Sequence, residues 1–256
     1  MKERADEKII RVYLADYASG IKIETLDIID STNDEMKRRA VEGEAEISLL
    51  IAEKQTKGRG TKGRSFFSPE GTGIYMSLLL RPTYTPQECT FLTTMAAVSA
   101  AKAVEKVTGI RLQIKWVNDL YLGGKKVGGI LTQSHLSKNA GETEWSVVGI
   151  GINLSEPEGG FPDELREIAA TLGKEDALIK NRLIAEIVNE FIFYYRNLTE
   201  KEFIDEYSKR LLGLNEEITV KEDGEEFKGT VKGIDEICRL KIRLPDGSEK
   251  ILNSAF

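Results

Sequence analysis

Short apolar runs alternate with longer helical patterns over the first 212 residues of the chain. Apolar runs that are bounded by turn residues predict β-strands. The predicted strands cover residues 25–29, 47–52, 73–81, 112–116, 119–122, 125–132 and 145–153. Apolar residues at helical spacing predict helices. The predicted helices cover residues 32–41, 86–108, 177–198 and 201–212. Thr32 and Glu35 have the spacing of a capping box at the start of the first helix, and Gly109 closes the second.

Beyond Gly213 the pattern changes to four short strands separated by turns. They cover residues 218–220, 227–231, 240–242 and 250–252, with Asp223-Gly224 and Asp246-Gly247 as turn dipeptides. This spacing is typical of a small β-barrel or a meander. We therefore expect a catalytic domain at residues 1–212 and a small C-terminal β-barrel domain at residues 213–256. A hairpin around Gly123-Gly124 implies antiparallel strands, so the fold class is predicted to be α+β, with a mixed, largely antiparallel sheet covered by helices.

Composition narrows the function classes. The net charge of −6 argues against a general nucleic-acid binder, because such proteins usually carry a basic face. Cys89 and Cys238 lack metal-site spacing, and the N-terminus has no apolar run of signal length. We therefore expect a cytoplasmic protein without a membrane span. The single histidine, His135, lies in a polar stretch and is predicted to be an exposed loop residue without a catalytic role.

One basic segment has a charge opposite to that of the whole chain: Lys54-Gln55-Thr56-Lys57-Gly58-Arg59-Gly60-Thr61-Lys62-Gly63-Arg64-Ser65. Its glycines let backbone N–H groups approach an anion closely, and its cations neutralise that anion. Arg64 stands where a Walker A loop needs lysine, and the segment is too cationic for a dinucleotide fingerprint, although its glycine spacing matches one. A solvated basic hairpin tip has the same composition, so the pattern alone leaves both possibilities open.

Three later segments combine apolar strands with glycines or polar side chains. Lys115-Trp116-Val117-Asn118-Asp119 places an amide and a carboxylate at a strand end, available for a nucleotide or for a plain turn. Gly128-Gly129 follows Lys125-Lys126, and Gly149-Ile150-Gly151-Ile152-Asn153 ends another strand. Glycines within strands indicate a ligand or another backbone packed closely, or a β-bulge. Alternation alone does not decide which of the two lysines faces a ligand.

These segments, in this order, resemble the motifs of the biotin protein ligases. The matching motifs are Asp30-Ser31-Thr32-Asn33, Gln55 through Arg64, Ser68-Pro69-Glu70-Gly71, Lys115-Trp116-x-Asn118-Asp119, Lys126-x-Gly128-Gly129-Ile130-Leu131 and Gly149-x-Gly151-x-Asn153. The resemblance implies that biotin and ATP react to give biotinyl-5′-adenylate and pyrophosphate. A lysine of a biotin carboxyl carrier protein or domain then attacks the adenylate and releases AMP.

The resemblance also implies roles for individual residues. Lys126 and Arg59 are the expected catalytic residues, and Lys126 rather than Lys125 matches the family's active-site lysine. The expected biotin-binding residues are Ser31, Thr32, Asn33, Gln55, Gly58, Arg59, Gly60, Thr61, Lys126, Gly128 and Gly129. The expected nucleotide-binding residues are Arg59, Lys62, Arg64, Phe66, Lys115, Asn118, Asp119 and Asn153. No dedicated metal site is expected, and Mg²⁺ enters with ATP, with Asp119 as its expected neighbour.

The expected partners follow from the same resemblance. Only residues 1–24 precede the first predicted strand, too few for the DNA-binding domain of bifunctional family members, so we expect the monofunctional type without DNA binding. A homodimer is expected by analogy alone. Two alternatives stay open: a lipoate–protein ligase, which has a related fold and the same adenylation chemistry, and a noncatalytic RNA-binding module that stacks bases on Phe66 and Phe67.

Thr61 stands where many family members carry a basic residue, which leaves one cation fewer on the adenylate phosphate. Thr61→Arg restores that charge and is expected to lower the rate at which the adenylate dissociates. The rate is measured by chasing preformed labelled adenylate with an excess of unlabelled biotin. An unchanged dissociation rate would refute this role for Thr61.

Overall fold

The computed structural model describes residues 4–85, 88–137, 143–174, 178–222 and 225–252. The strands of its first sheet are β1 Lys22–Ile29, β2 Ser48–Gln55, β3 Gly73–Leu80, β4 Gln113–Lys115, β5 Asp119–Leu122, β6 Lys125–Leu136 and β7 Thr143–Asn153. Their order in the sheet is β1-β2-β3-β7-β6-β5-β4. The β1–β2 pair is parallel, and the other neighbouring pairs of this sheet are antiparallel. The predicted mixed, largely antiparallel sheet is confirmed.

Helices cover this sheet, as predicted, and they do so on both faces. Their bounds are α1 Glu7–Tyr13, α2 Thr32–Val41, α3 Cys89–Thr108, α4 Asp163–Arg166, α5 Ile179–Arg196 and α6 Glu202–Arg210. α3 and α5 pack against each other on one face, whereas α2 packs against β3 and β7 on the other. None of these described helices has the length and apolar composition that crossing a bilayer needs.

Alternating residues of β2 explain why the sheet needs cover on both faces. Leu49 and Ile51 belong to the large core that includes α3 and α5. Leu50 belongs to a smaller core with Met36 of α2 and Trp145 of β7. Because successive side chains of a strand point to opposite faces, a strand that is buried on both faces is continuously apolar. This accounts for the largely apolar runs that predicted β2 and β3, which Ser48 and Ser77 interrupt.

Two local predictions differ from the structure. Ser31, not Thr32, is the N-cap of α2: its side chain accepts a hydrogen bond from the Asp34 N–H, so the capping box predicted at Thr32 is wrong. His135 is exposed, as predicted, but it lies within β6 rather than in a loop. The strand continues beyond its predicted end because it pairs with β7 as far as Leu136.

The end of a helix agrees with its prediction where a residue with a strong capping preference is present. Gly109 ends α3 in the left-handed conformation with φ +73°, as predicted. α1 is absent from the predictions because Ile10 is its one buried residue, although the Asp6 side chain caps it. The predicted helix starts at residues 86 and 177 lie outside the described residues.

The second sheet is an open antiparallel meander within the described residues. Its strands are β8 Glu217–Glu222, β9 Glu225–Ile234, β10 Leu240–Arg243 and β11 Glu249–Leu252, in the order β11-β10-β9-β8. Gly247 has φ +87° at the predicted Asp246-Gly247 turn, while the turn predicted at Asp223-Gly224 lies outside the described residues. The Trp116 indole N–H joins the two sheets by donating to the Cys238 carbonyl at 2.9 Å.

A buried ion pair links β2 to the start of α5. Lys180 Nζ donates to Glu53 Oε2 at 2.6 Å, and neither side chain is more than 5% exposed. Glu53 Oε1 also accepts a hydrogen bond from the Ala5 N–H at 2.7 Å, so the same carboxylate holds the N-terminal segment. A carboxylate buried this deeply depends on its cationic partner, because water cannot replace the lost interaction.

Removing the cation alone is therefore expected to destabilise the fold. Lys180→Met leaves the Glu53 carboxylate buried and unpaired, and should lower the free energy of unfolding by about 3–5 kcal/mol. The double variant Glu53→Gln/Lys180→Met removes both charges and should recover part of that loss. Chemical denaturation of the three proteins measures the difference. Equal stability of the wild type and Lys180→Met would contradict it.

Candidate active site

Three buried polar side chains and the half-buried Gln55 form a small network where the start of α2 meets β2 and β3. The backbone N–H and the hydroxyl of Thr32 donate to Gln55 Oε1 at 2.9 and 3.1 Å. Ser77 Oγ lies 2.8 Å from Thr32 Oγ1 and 2.6 Å from Asn33 Oδ1. Asn33 Nδ2 donates to the Leu131 carbonyl at 3.1 Å. We call Thr32, Asn33, Gln55 and Ser77 the polar floor, since their hydrogen bonds to one another fix their positions.

Glycines at two positions of β7 make room for the side chains that lie on it. A Cβ at Gly149 would overlap the Asn33 amide, and a Cβ at Gly151 would lie 2.6 Å from the Phe66 ring. The close neighbours of these glycines are therefore protein side chains, whereas the sequence pattern indicated a ligand, a backbone or a bulge. Gly128 of β6 does have a backbone neighbour, because its Cβ would lie 2.6 Å from the Gly151 carbonyl oxygen.

The glycine loop, residues 58–66, folds back on itself as a hairpin. The Gly60 N–H donates to the Arg64 carbonyl at 2.7 Å, and the Phe66 N–H donates to the Gly58 carbonyl at 3.0 Å. Of the two interpretations that the sequence left open, the basic hairpin tip therefore describes the shape of this segment correctly. The loop also lines the two cavities described below, so the hairpin and the anion site are compatible.

Two arginines of the glycine loop are oriented by protein atoms. Arg59 Nε donates to Asp34 Oδ2 of α2 at 2.8 Å, and Lys37 Nζ lies 2.6 Å from Oδ1 of the same carboxylate. Arg64 Nη2 donates to the Thr61 hydroxyl at 3.0 Å. Thr61 therefore directs a neighbouring cation rather than adding one of its own.

Lys126 of β6 is fixed at both its side chain and its backbone. Its ammonium donates to Asp119 Oδ1 of β5 at 2.7 Å. Its N–H donates to the Ile168 carbonyl, and its carbonyl accepts from the Ala170 N–H, both at 2.8 Å. Lys125 instead donates to a backbone carbonyl of α4, outside both cavities. The structure therefore distinguishes the two lysines, which the sequence pattern did not.

Two cavities meet beside β6 and β7. The inner cavity has a volume of about 440 Å³ and the outer cavity about 1470 Å³, both including their openings. The lining residues that the two cavities share are Gly60, Thr61, Phe66, Asn118 and Lys126. Lys126 therefore stands at the junction, where a group held in each cavity would meet the other.

Most of the predicted site residues line these cavities. The inner cavity is lined by Ser31, Thr32, Asn33, Gln55, Arg59, Gly60, Thr61, Lys126 and Gly129, among others. The outer cavity is lined by Lys62, Arg64, Phe66, Lys115, Asn118, Asp119 and Asn153, among others. Gly58 and Gly128 line neither cavity, and close packing accounts for both glycines. Arg59, expected at both ligands, lines the inner cavity alone.

Apolar side chains that were not among the expected binding residues complete both cavities. The inner cavity adds Met76, Ile130, Leu131 and Ile150. The outer cavity adds Phe67, Trp116, Val117, Tyr121, Phe161, Leu165, Ile168 and Ala169. Ile130, Leu131 and Ile150 lie along their strands beside Gly129, Gly149 and Gly151, so the sequence does contain a pattern that could have indicated them. Residues 161–169 have no periodic pattern, so their place in the wall has no comparable signal.

Asp119 is the one carboxylate in the described lining of the outer cavity. Across the described ranges, no cluster of three or more His, Cys, Asp or Glu side chains could hold a metal ion. Mg²⁺ that accompanies polyphosphate needs only one or two protein carboxylates, so Asp119 fits that use. Burial, and then the Asp119 charge, raise the pKa of the nearby Tyr121 hydroxyl above its ordinary value.

The chain matches two protein-family profiles. The biotin/lipoate A/B protein ligase family matches residues 26–153, and the biotin protein ligase C-terminal domain matches residues 213–255. The bifunctional ligase/repressor BirA of Bacillus spizizenii is 32% identical over 98% of this chain and 78% of its own length. The biotin–[acetyl-CoA-carboxylase] ligase of Paracoccus denitrificans is 30% identical over 87% of this chain and 94% of its own length.

A solved structure has the same fold. The biotin protein ligase from Aquifex aeolicus in complex with biotin and ATP matches with a TM-score of 0.75 at 30% identity. The match covers 91% of this chain and 96% of that one. On this evidence the chain belongs to the biotin/lipoate A/B protein ligase family and, within it, to the biotin protein ligases.

Proposed function

We propose that this protein is an ATP-dependent ligase that activates biotin as biotinyl-5′-adenylate and transfers the biotinyl group to a lysine of a biotin carboxyl carrier domain. The observation that carries the proposal is the pair of cavities that share Lys126 and part of the glycine loop. The inner cavity, with its polar floor, suits the polar ring of biotin. The outer cavity, with aromatic and cationic side chains, suits a nucleoside triphosphate. Relatives named as biotin ligases, one of them solved with biotin and ATP, support the same chemistry.

In the first step, a carboxylate oxygen of biotin attacks the α-phosphorus of ATP, and the bond to pyrophosphate breaks. Two anions must approach each other, and at about 4 Å their repulsion is on the order of 1 kcal/mol in water and about 4 kcal/mol near a protein surface. Lys126 offsets this repulsion at the junction, and Arg59 does so from the inner cavity. Cations placed in advance stabilise the charge that develops in the transition state.

Other residues hold the reactants in place. Ser31 and the polar floor bind the biotin ring, while Lys62, Arg64, Phe66 and Lys115 surround the nucleotide. The amides of Asn118 and Asn153 donate to the Ile130 and Ala170 carbonyls at 2.9 and 3.0 Å, so these two residues support the cavity wall. When bound, Mg²⁺ neutralises the polyphosphate, with Asp119 as its protein neighbour.

In the second step, the neutral amine of the carrier lysine attacks the carbonyl carbon of the adenylate. An amide bond forms, the bond from that carbon to the phosphate oxygen breaks, AMP leaves, and the amine releases a proton to solvent. The mixed anhydride is also open to attack by water. The glycine loop covers it and limits that side reaction by excluding solvent.

The wider organisation is part of the same proposal. Residues 1–212 form the catalytic domain and residues 213–256 a second domain, which the two separate sheets support. A cytoplasmic location is supported by Cys89 and Cys238, which are both free thiols. Two copies of the chain pair through sheet edges, for which β1, at one end of the described sheet, is a candidate.

Biotin-dependent exchange of labelled pyrophosphate into ATP tests the proposal, because exchange requires a reversible first step. The wild type is expected to catalyse exchange with biotin and not with lipoate. Lys126→Ala should lower the exchange rate by at least about 100-fold, since it removes the cation at the junction. Lys125→Ala is the matched control and should stay within about twofold of the wild type, because its side chain lies outside the cavities. Loss of exchange in Lys125→Ala but not in Lys126→Ala would overturn the assignment.

Gly149→Ala tests the role of the polar floor. The new Cβ overlaps the Asn33 amide, which must then leave its hydrogen bonds to Ser77 and Leu131. The KM for biotin is expected to rise about tenfold, the equivalent of about one net hydrogen bond, while the KM for ATP changes little. Steady-state kinetics measure both constants. Gly20→Ala is the control, because nothing lies within 4 Å of its new Cβ. An unchanged KM for biotin in Gly149→Ala would exclude this role.

A further inference from the structure

Asp34 connects the two segments that hold biotin in the proposed function. It lies in the first turn of α2, directly after the polar-floor residues Thr32 and Asn33. Its carboxylate accepts a hydrogen bond from Arg59 of the glycine loop at 2.8 Å. The Asp34 side chain is 17% exposed and the Arg59 side chain 53% exposed. A well-packed carboxylate on a helix therefore anchors a cation on an exposed loop.

The ion pair does not cancel the positive charge that Arg59 presents. Lys37 binds the other oxygen of the Asp34 carboxylate at 2.6 Å, so the three side chains together carry a net charge of +1 (one anion and two cations). Partial burial favours protonation of Asp34, but hydrogen bonds from Lys37 and Arg59 hold the pKa of its carboxyl below the usual value. Arg59 therefore keeps its attraction for an anion in the inner cavity that it lines.

We propose that Asp34 is a positioning residue for biotin activation, which holds Arg59 at the inner cavity and so orders the glycine loop before biotin binds. The inference rests on the proposed function for the identity of the anion. Without the ion pair, biotin binding must itself order the loop. The apparent affinity for biotin is then the intrinsic affinity multiplied by the fraction of molecules whose loop is already ordered, and that fraction is smaller. Once biotin is bound, Arg59 is in place either way, so kcat is not affected.

Kinetics of two matched variants test this role. Asp34→Asn removes the charge and keeps the shape, while Glu35→Gln alters the adjacent carboxylate on the same turn, whose partners are Arg38 and Arg39 of α2. Asp34→Asn should raise the KM for biotin about two- to fivefold at unchanged kcat, as expected for a partly exposed ion pair. Glu35→Gln should leave both constants unchanged. In an Arg59→Ala background, Asp34→Asn should have no further effect, because it acts through Arg59.

Trypsin digestion of the protein without substrates gives a readout that does not depend on activity. The cleavage sites in and next to the loop are Lys57, Arg59, Lys62 and Arg64. Cleavage follows the fraction of molecules in which the loop is open. Asp34→Asn should be cleaved there about two- to fivefold faster than the wild type and Glu35→Gln. Thermal unfolding of both variants separates loop opening from loss of the fold.

Three results would overturn the inference: equal cleavage rates in Asp34→Asn and the wild type, a KM for biotin that is unchanged or lowered, or an undiminished effect of Asp34→Asn in the Arg59→Ala background. A lowered KM would mean that Asp34 competes with biotin for Arg59.

Failure of the proposed function is a separate result, since a wild type that forms no adenylate still allows the cleavage comparison. Faster cleavage in Asp34→Asn would then support the ordering of the loop by Asp34.

Discussion

Repulsion between two anions is the constraint on which the proposed chemistry depends, because a carboxylate and a phosphate must meet at one point. Lys126 stands at that point, in the lining that the inner and outer cavities share. Its ammonium is held by Asp119 at 2.7 Å, and its backbone is held by the segment that follows β7. A cation fixed in this way stabilises developing charge without first having to reorganise. The glycine loop adds further cations, with Arg59 in the lining of the inner cavity and Lys62 and Arg64 in that of the outer cavity.

Close packing on β7 brings the polar floor and the Phe66 ring to that junction. Gly149 admits the Asn33 amide and Gly151 admits the Phe66 ring, so one strand supports part of each cavity. Residues of β2 and β3 complete the floor through Gln55 and Ser77. The central strands of the sheet are covered by helices on both faces, which gives these side chains a rigid support. Packing in the sheet therefore determines where the reactants can lie.

The features that could be predicted from the sequence are those that depend on neighbouring residues. The hairpin at Gly123-Gly124 and the end of α3 at Gly109 follow from turn and cap residues. Alternation could not decide between Lys126 and Lys125, because the contacts that distinguish them include hydrogen bonds to residues more than 40 positions away, and it was the family resemblance that indicated Lys126. The pairing of Asp34 with Arg59 likewise joins a helix to a loop. Residues 161–169 enter the outer wall through such distant contacts, without a periodic pattern of their own.

The most direct measurement is the product formed when the purified protein is mixed with biotin and Mg-ATP in the absence of a carrier. Mass spectrometry of the acid-quenched mixture identifies the adenylate, and a coupled assay measures the pyrophosphate. We expect biotinyl-5′-adenylate and pyrophosphate in equal amounts, approaching one adenylate per chain. If ATP stays intact, or is hydrolysed without any acyl-adenylate, the central claim that the two cavities join biotin to AMP is wrong.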